Sequence, residues 1–89
     1  MVPNKPRLRL ETPATYRIRV QGDLDRKWSD YLQGMSVSTG RDENQHPVTV
    51  LTGQVIDQTA LLGVLNGLYN YHLPLLSVEC LSISPRALE

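Results

Sequence analysis

The chain has 89 residues, with nine Lys and Arg balanced by nine Asp and Glu and 40% apolar residues, which describes one small folded domain around a single modest core. A formal net charge of zero argues against an electrostatic nucleic-acid binder, which normally carries a basic excess. One cysteine, Cys80, excludes an internal disulfide and fits a reducing, cytoplasmic setting.

Residues 1–14 hold Pro3, Pro6 and Pro13 among Lys5, Arg7 and Arg9, and read as a loosely extended basic arm. Leu8 and Leu10 are its docking points. No apolar stretch there has the pattern of a secretory signal. Residues 15–84 form the single folded domain, and residues 85–89 a short tail. Leu88 and Glu89 are read either as native or as residues left by cloning.

Thr15 to Gln21 (TYRIRVQ) alternates cleanly. Tyr16, Ile18 and Val20 should face the core, and Arg17 and Arg19 the opposite side. Gly22 breaks this first strand. Asp23 or Asp25 then caps a short helix whose apolar face is Leu24, Trp28, Tyr31 and Leu32, with Trp28 as its anchor and Gly34 as its stop. Met35 to Thr39 is a second strand with Met35 and Val37 inward, and residues 40–46 suit a hairpin tip. Val48 to Gln54 is the third strand, with Leu51 and Val55 turned toward the helices.

Asp57 is a good N-cap for a long helix ending near residue 72, because Pro74 cannot continue it. Leu61, Val64, Leu65, Leu68 and His72 recur at helical spacing, and Leu62 and Tyr69 widen the stripe. On the opposite side gather Thr59, Gly63, Asn66, Gly67 and Asn70, none of them charged. A solvent-facing helix normally carries Lys and Glu there. That small, uncharged ridge is the candidate interaction surface, open to close approach by another backbone. Residues 58–78 hold no Asp, Glu, Lys or Arg, but polar interruptions and amphipathic spacing argue against a membrane span. Leu75 to Ile83 is read as a buried fourth strand, with Leu76, Val78 and Cys80 on one face and Ser77, Glu79 and Leu81 on the other. Glu79 should meet Arg17 and Arg19 on the open sheet face.

The order strand, helix, strand, strand, helix, strand predicts an α+β, ferredoxin-like split βαβ unit. Its four-stranded antiparallel sheet has the order 4-1-3-2, with both helices on one face. The crossover rule is taken to set the first and third strands parallel at its centre.

No catalytic constellation emerges. His46, His72 and Cys80 lack the paired spacing of a metal site, His72 suits the negative end of a helix dipole, and Ser29 has no base near it in sequence. Asp23, Asp25 and Asp30 are explained by capping and solvation. No cofactor is expected. The segment RVQGDLDR, residues 19–26, resembles the phosphate loop of the acylphosphatase family, in which loop amides and an arginine hold phosphate. Gly22 and Arg26 have the family spacing. Asp23 and Asp25, however, would bring negative charge into that cradle, and MSVST has serine where the family uses an asparagine. An RNA-recognition motif shares the element order but needs stacking aromatics on its central strands, and the third strand has none.

A wider resemblance covers residues 15–82. TYRIRVQGDLDRKWSDYLQGMSVS, TVLTGQVIDQTALLGVLNGLYN and LPLLSVECL resemble a group of small bacterial and archaeal proteins of unknown function. That resemblance implies the βαββαβ fold and carries no activity. The reading is therefore a non-enzymatic module that works by contact with a protein partner or as a homodimer. An ACT-like small-ligand regulatory domain is the alternative, and an acylphosphatase-like hydrolase comes third.

Overall fold

The computed structural model describes residues 7–24 and 34–83. Within them lie β1 (Ala14–Gln21), β2 (Ser36–Arg41), β3 (Pro47–Val55), α1 (Gln58–Asn70) and β4 (Leu75–Ile83). The strands form one sheet in the order β2-β3-β1-β4, which reads 4-1-3-2 from the other edge. The short helix expected around Trp28, with Asp25, Arg26, Ser29, Asp30, Tyr31 and Leu32, falls outside the described residues, as do residues 1–6 and 84–89.

Every ladder is antiparallel: β1 with β3, β1 with β4, and β2 with β3. The expectation of parallel β1 and β3 is overturned. The β2–β3 hairpin reverses the chain, and β1 and β2 each run antiparallel to β3, so β2, not β3, is the parallel companion of β1, with β3 between them.

Alternation in β1 does what its pattern dictates. Ala14, Tyr16, Ile18 and Val20 are buried, while Arg17 and Arg19 sit on the other face. Directly opposed residues share a face, so Val55, Gly53, Leu51 and Thr49 of β3 join the buried side. This is the register expected for Leu51 and Val55. α1 covers that side with Leu61, Val64 and Leu68. Each large aliphatic side chain buried there contributes about 1.5–3 kcal/mol before ordering is counted. Met35 lies over Gly53, where a Cβ would stand 2.9 Å from the Met35 Cα. A residue larger than glycine cannot sit under that backbone without moving it.

The arm is less loose than its composition implies. Thr12 is buried, and its hydroxyl accepts the Arg9 amide at 3.0 Å. Leu8 and Leu10 keep exposed side chains, so they are not the docking points expected. The Leu10 carbonyl docks instead, accepting the Gln58 amide at 2.8 Å. That amide is one of the orphans at the start of α1. Asp57 Oδ1 accepts another, from Ala60, at 2.8 Å, as its N-cap role requires. The Gln58 side chain donates to the Tyr16 hydroxyl, tying the same helix end to β1.

The helix ends by a Schellman motif, earlier than its periodicity implies. The His72 amide donates to Tyr69 O at 2.9 Å and the Leu73 amide to Leu68 O at 3.2 Å. His72 takes the left-handed position, φ 62. It is exposed, so it neither joins the leucine stripe nor sits within the last helical turn. Leu62 and Tyr69, expected to widen the stripe, are 58% and 78% exposed. The buried stripe is narrower, confined to Leu61, Val64 and Leu68.

Candidate functional site

The candidate ridge on α1 is open. Thr59, Gly63, Asn66 and Asn70 are exposed, Gly67 is half-buried, and a Cβ at Gly63 would meet nothing within 4 Å. On the other face of the sheet, Arg17 Nε and Nη2 both lie 3.0 Å from Glu79 Oε1, directly across the β1–β4 ladder. Arg19 stands opposite Ser77 and Val50. No described carboxylate pairs with it, so Glu79 serves one of the two arginines rather than both. This ion pair is about half exposed on both sides, which limits its worth to about 0.2–1 kcal/mol.

The largest departure from expectation is β4. It is not buried: each of its residues is exposed or half-buried, and Leu75, Leu76, Val78 and Leu81 are 37–53% exposed. The ladder sets Leu75, Val78, Cys80 and Ile83 opposite the buried Val20, Ile18, Tyr16 and Ala14, hence on the helix side. Register shifts beside Arg19 and Thr15 leave Leu76 and Leu81 as the extra residues. β4 is also the last strand of the sheet, so its outer edge is not paired with any described strand. Tyr69, Leu65, Leu73, Pro74 and Leu75 line a cleft between the helix end and the start of β4. The exposed apolar side chains of β4 thus adjoin this cleft at Leu75. Sequence reasoning missed it because an apolar run such as LLSVECLSI reads as a core strand, and nothing within it says whether a neighbour covers it.

The loop that resembles the acylphosphatase cradle is engaged in holding strands together. Gly22 adopts φ 122, and a Cβ there would lie 2.6 Å from Leu73 Cδ2. Its amide donates to Pro47 O at 2.9 Å, and the Gln21 amide to Pro74 O at 2.8 Å. The buried Thr49 hydroxyl donates to Gly22 O at 2.8 Å and accepts the Leu24 amide at 3.1 Å. The amides of Gly22 and Leu24 therefore already have internal acceptors, and the positive φ of Gly22, with Leu73 packed close over it, accounts for the glycine.

The remaining singled-out residues lie apart. His46 is in the β2–β3 turn, where Asp42 Oδ1 accepts the amides of Asn44 and His46 at 2.8 and 2.9 Å. Hydrogen bonding from the His46 amide, more than any other contact, holds the Asp42 carboxyl below its ordinary value. His72 caps α1, and Cys80 lies exposed on β4. Among the described residues no group of three His, Cys, Asp or Glu side chains gathers to hold a metal, and no helix is long and apolar enough to cross a membrane.

No curated protein and no solved structure matches the chain. A family model does, over residues 15–79, which include β1 from its second residue, all of β2, β3 and α1, and the first half of β4. The chain belongs to the family described as a domain of unknown function, DUF8691.

Proposed function

We propose that this domain is a non-catalytic protein-interaction module of the cytoplasm, and that its contact surface is β4 with the adjoining flank of α1. The observation that carries this reading is the exposure of Leu75, Leu76, Val78 and Leu81 on a strand whose outer edge no described strand pairs, with Leu62 and Tyr69 also exposed on α1. Large exposed apolar side chains gathered on one edge strand mark a contact site. The uncharged ridge of Thr59, Gly63, Asn66, Gly67 and Asn70 lies on the same helix and extends the surface that a large partner would cover. An exposed single thiol, Cys80, accords with a reducing compartment.

A ferredoxin-like frame is part of the same reading. Parallel β1 and β2 lie on either side of β3, and a connection of this kind requires a dozen or more residues, usually helical. Residues 22–35 supply that length, and the pattern of Leu24, Trp28, Tyr31 and Leu32 supplies the apolar face.

Immobilised domain should capture a defined partner chain that, once purified, binds it again. Val78→Lys should abolish that capture while the thermal melt is unchanged. Equal capture by the Val78→Lys variant would overturn the assignment of β4. Hydrolysis of an acyl phosphate above the uncatalysed rate would overturn the non-catalytic reading.

A further inference from the structure

We infer that the protein bound at β4 anchors itself by one uncharged aromatic side chain, a tyrosine or tryptophan, seated in the cleft between the end of α1 and the start of β4. This rests on the reading of β4 as the contact surface and adds the chemistry of the group that enters it.

Leu75 joins the two, because it belongs to β4 and lines the cleft. The cleft has a volume of about 300 Å³. Leu68 completes its apolar lining, and Asn66 is its one amide side chain. Its walls are themselves open: Tyr69 and Leu75 are 78% and 53% exposed, and Asn66 is exposed too. A free small molecule between such walls would stay largely in water, whereas a bound one buries about 70–90% of its surface. A side chain presented by a protein brings with it a surface that covers the remainder and excludes water. The openness of the cleft therefore selects a macromolecular occupant.

Charge narrows the choice. No lining residue is ionised, and the stretch they come from, residues 58–78, holds no Asp, Glu, Lys or Arg. The carbonyls at the helix end are already taken: Leu68 O accepts the Leu73 amide and Tyr69 O the His72 amide, at 3.2 and 2.9 Å. A lysine, arginine or carboxylate entering here would lose water and gain no counter-charge. An aliphatic side chain would cover Asn66 and leave its carboxamide unsatisfied, since that amide has no hydrogen-bond partner among the described residues. An aromatic ring packs against Tyr69 and Pro74, and its O–H or N–H supplies the bond that Asn66 needs once covered. Tyrosine and tryptophan are also the side chains that dominate binding energy at protein contacts.

Single-residue probes and the purified partner test this. N-acetyltryptophanamide and N-acetyltyrosinamide, titrated to tens of millimolar, should shift the methyl resonances of Leu65, Leu73 and Leu75 and the side-chain amide of Asn66. N-acetylargininamide should shift none of them. Asn66→Ala should weaken the tryptophan and tyrosine probes about two- to tenfold and leave N-acetylphenylalaninamide unchanged. Tyr69→Ala, at a position already in solvent, should abolish capture of the partner and keep the thermal melt. N-acetyltryptophanamide should compete with that capture. An arginine probe that binds as well as the tryptophan one overturns the inference, and so does the absence of any shift at the cleft. If capture is lost in Val78→Lys but survives Tyr69→Ala, the inference fails and the reading of β4 as a contact surface stands. If capture survives both variants, both fail.

Discussion

The two edges of this sheet are built differently. β2 is six residues long and reads SVSTGR, with serines, threonine, glycine and arginine that are exposed and only Val37 turned inward. Short, polar edges of this sort resist pairing with another chain. β4 is nine residues long, carries one charge, has no proline or lysine, and exposes four large apolar side chains. The two edges thus differ in length, polarity and exposure, and β4 is interrupted by two register shifts where β2 is regular. The inner strands β3 and β1 supply the core, β2 closes one side, and β4 carries the surface proposed for contact.

The sharpest way to break this comparison is to set an inner strand against the apolar edge. Leu51→Ala, at a fully buried site on β3, should lower unfolding free energy by about 2–5 kcal/mol in a denaturant titration. Val78→Ala on β4 should cost under about 1 kcal/mol when measured on the monomer. Equal losses would mean that β4 is a core strand and that its exposure has no functional meaning.

Next in size is the seat of the polar edge. Gly53→Ala pushes a methyl group toward the Met35 backbone, just before β2, and should destabilise by about 1–3 kcal/mol. Hydrogen exchange should show the loss concentrated in β2. Unchanged exchange there would mean that β2 is held by its hairpin alone.

The approach to the apolar edge can be improved rather than broken. His72 holds a left-handed conformation that favours glycine, so His72→Gly should stabilise by about 0.5–1 kcal/mol, seen as a higher thermal midpoint. A fall instead would mean that the imidazole makes a contact outweighing its backbone strain. The smallest effect belongs to the surface ion pair. A double-mutant cycle on Arg17 and Glu79 should give a coupling of about 0.2–1 kcal/mol that shrinks in high salt.

Much of the frame was legible in the sequence because it depends on local pattern. Alternation in TYRIRV assigned the faces of β1, Asp57 announced the start of α1, and opposite charges on neighbouring strands announced Arg17–Glu79. These signals act over a few residues or across one ladder, where steric and hydrogen-bonding rules leave few choices. Gly22 was legible as the end of β1, but neither its left-handed φ nor the approach of Leu73, far along the chain, could be read from the sequence.

Tertiary structure alone decided the rest. Whether LLSVECLSI is a buried strand or an exposed edge depends on what covers it, and composition is the same in either case. The width of the helix stripe depends on the line along which α1 meets the sheet, so Leu62 and Tyr69 fit the helical period and still lie in solvent. The direction of β3 relative to β1 follows from the hairpin that precedes it, a global property of the path. Local chemistry determines which elements form and which way their side chains alternate; burial is set by neighbours brought from far along the chain, and the candidate site is made of burial that is missing.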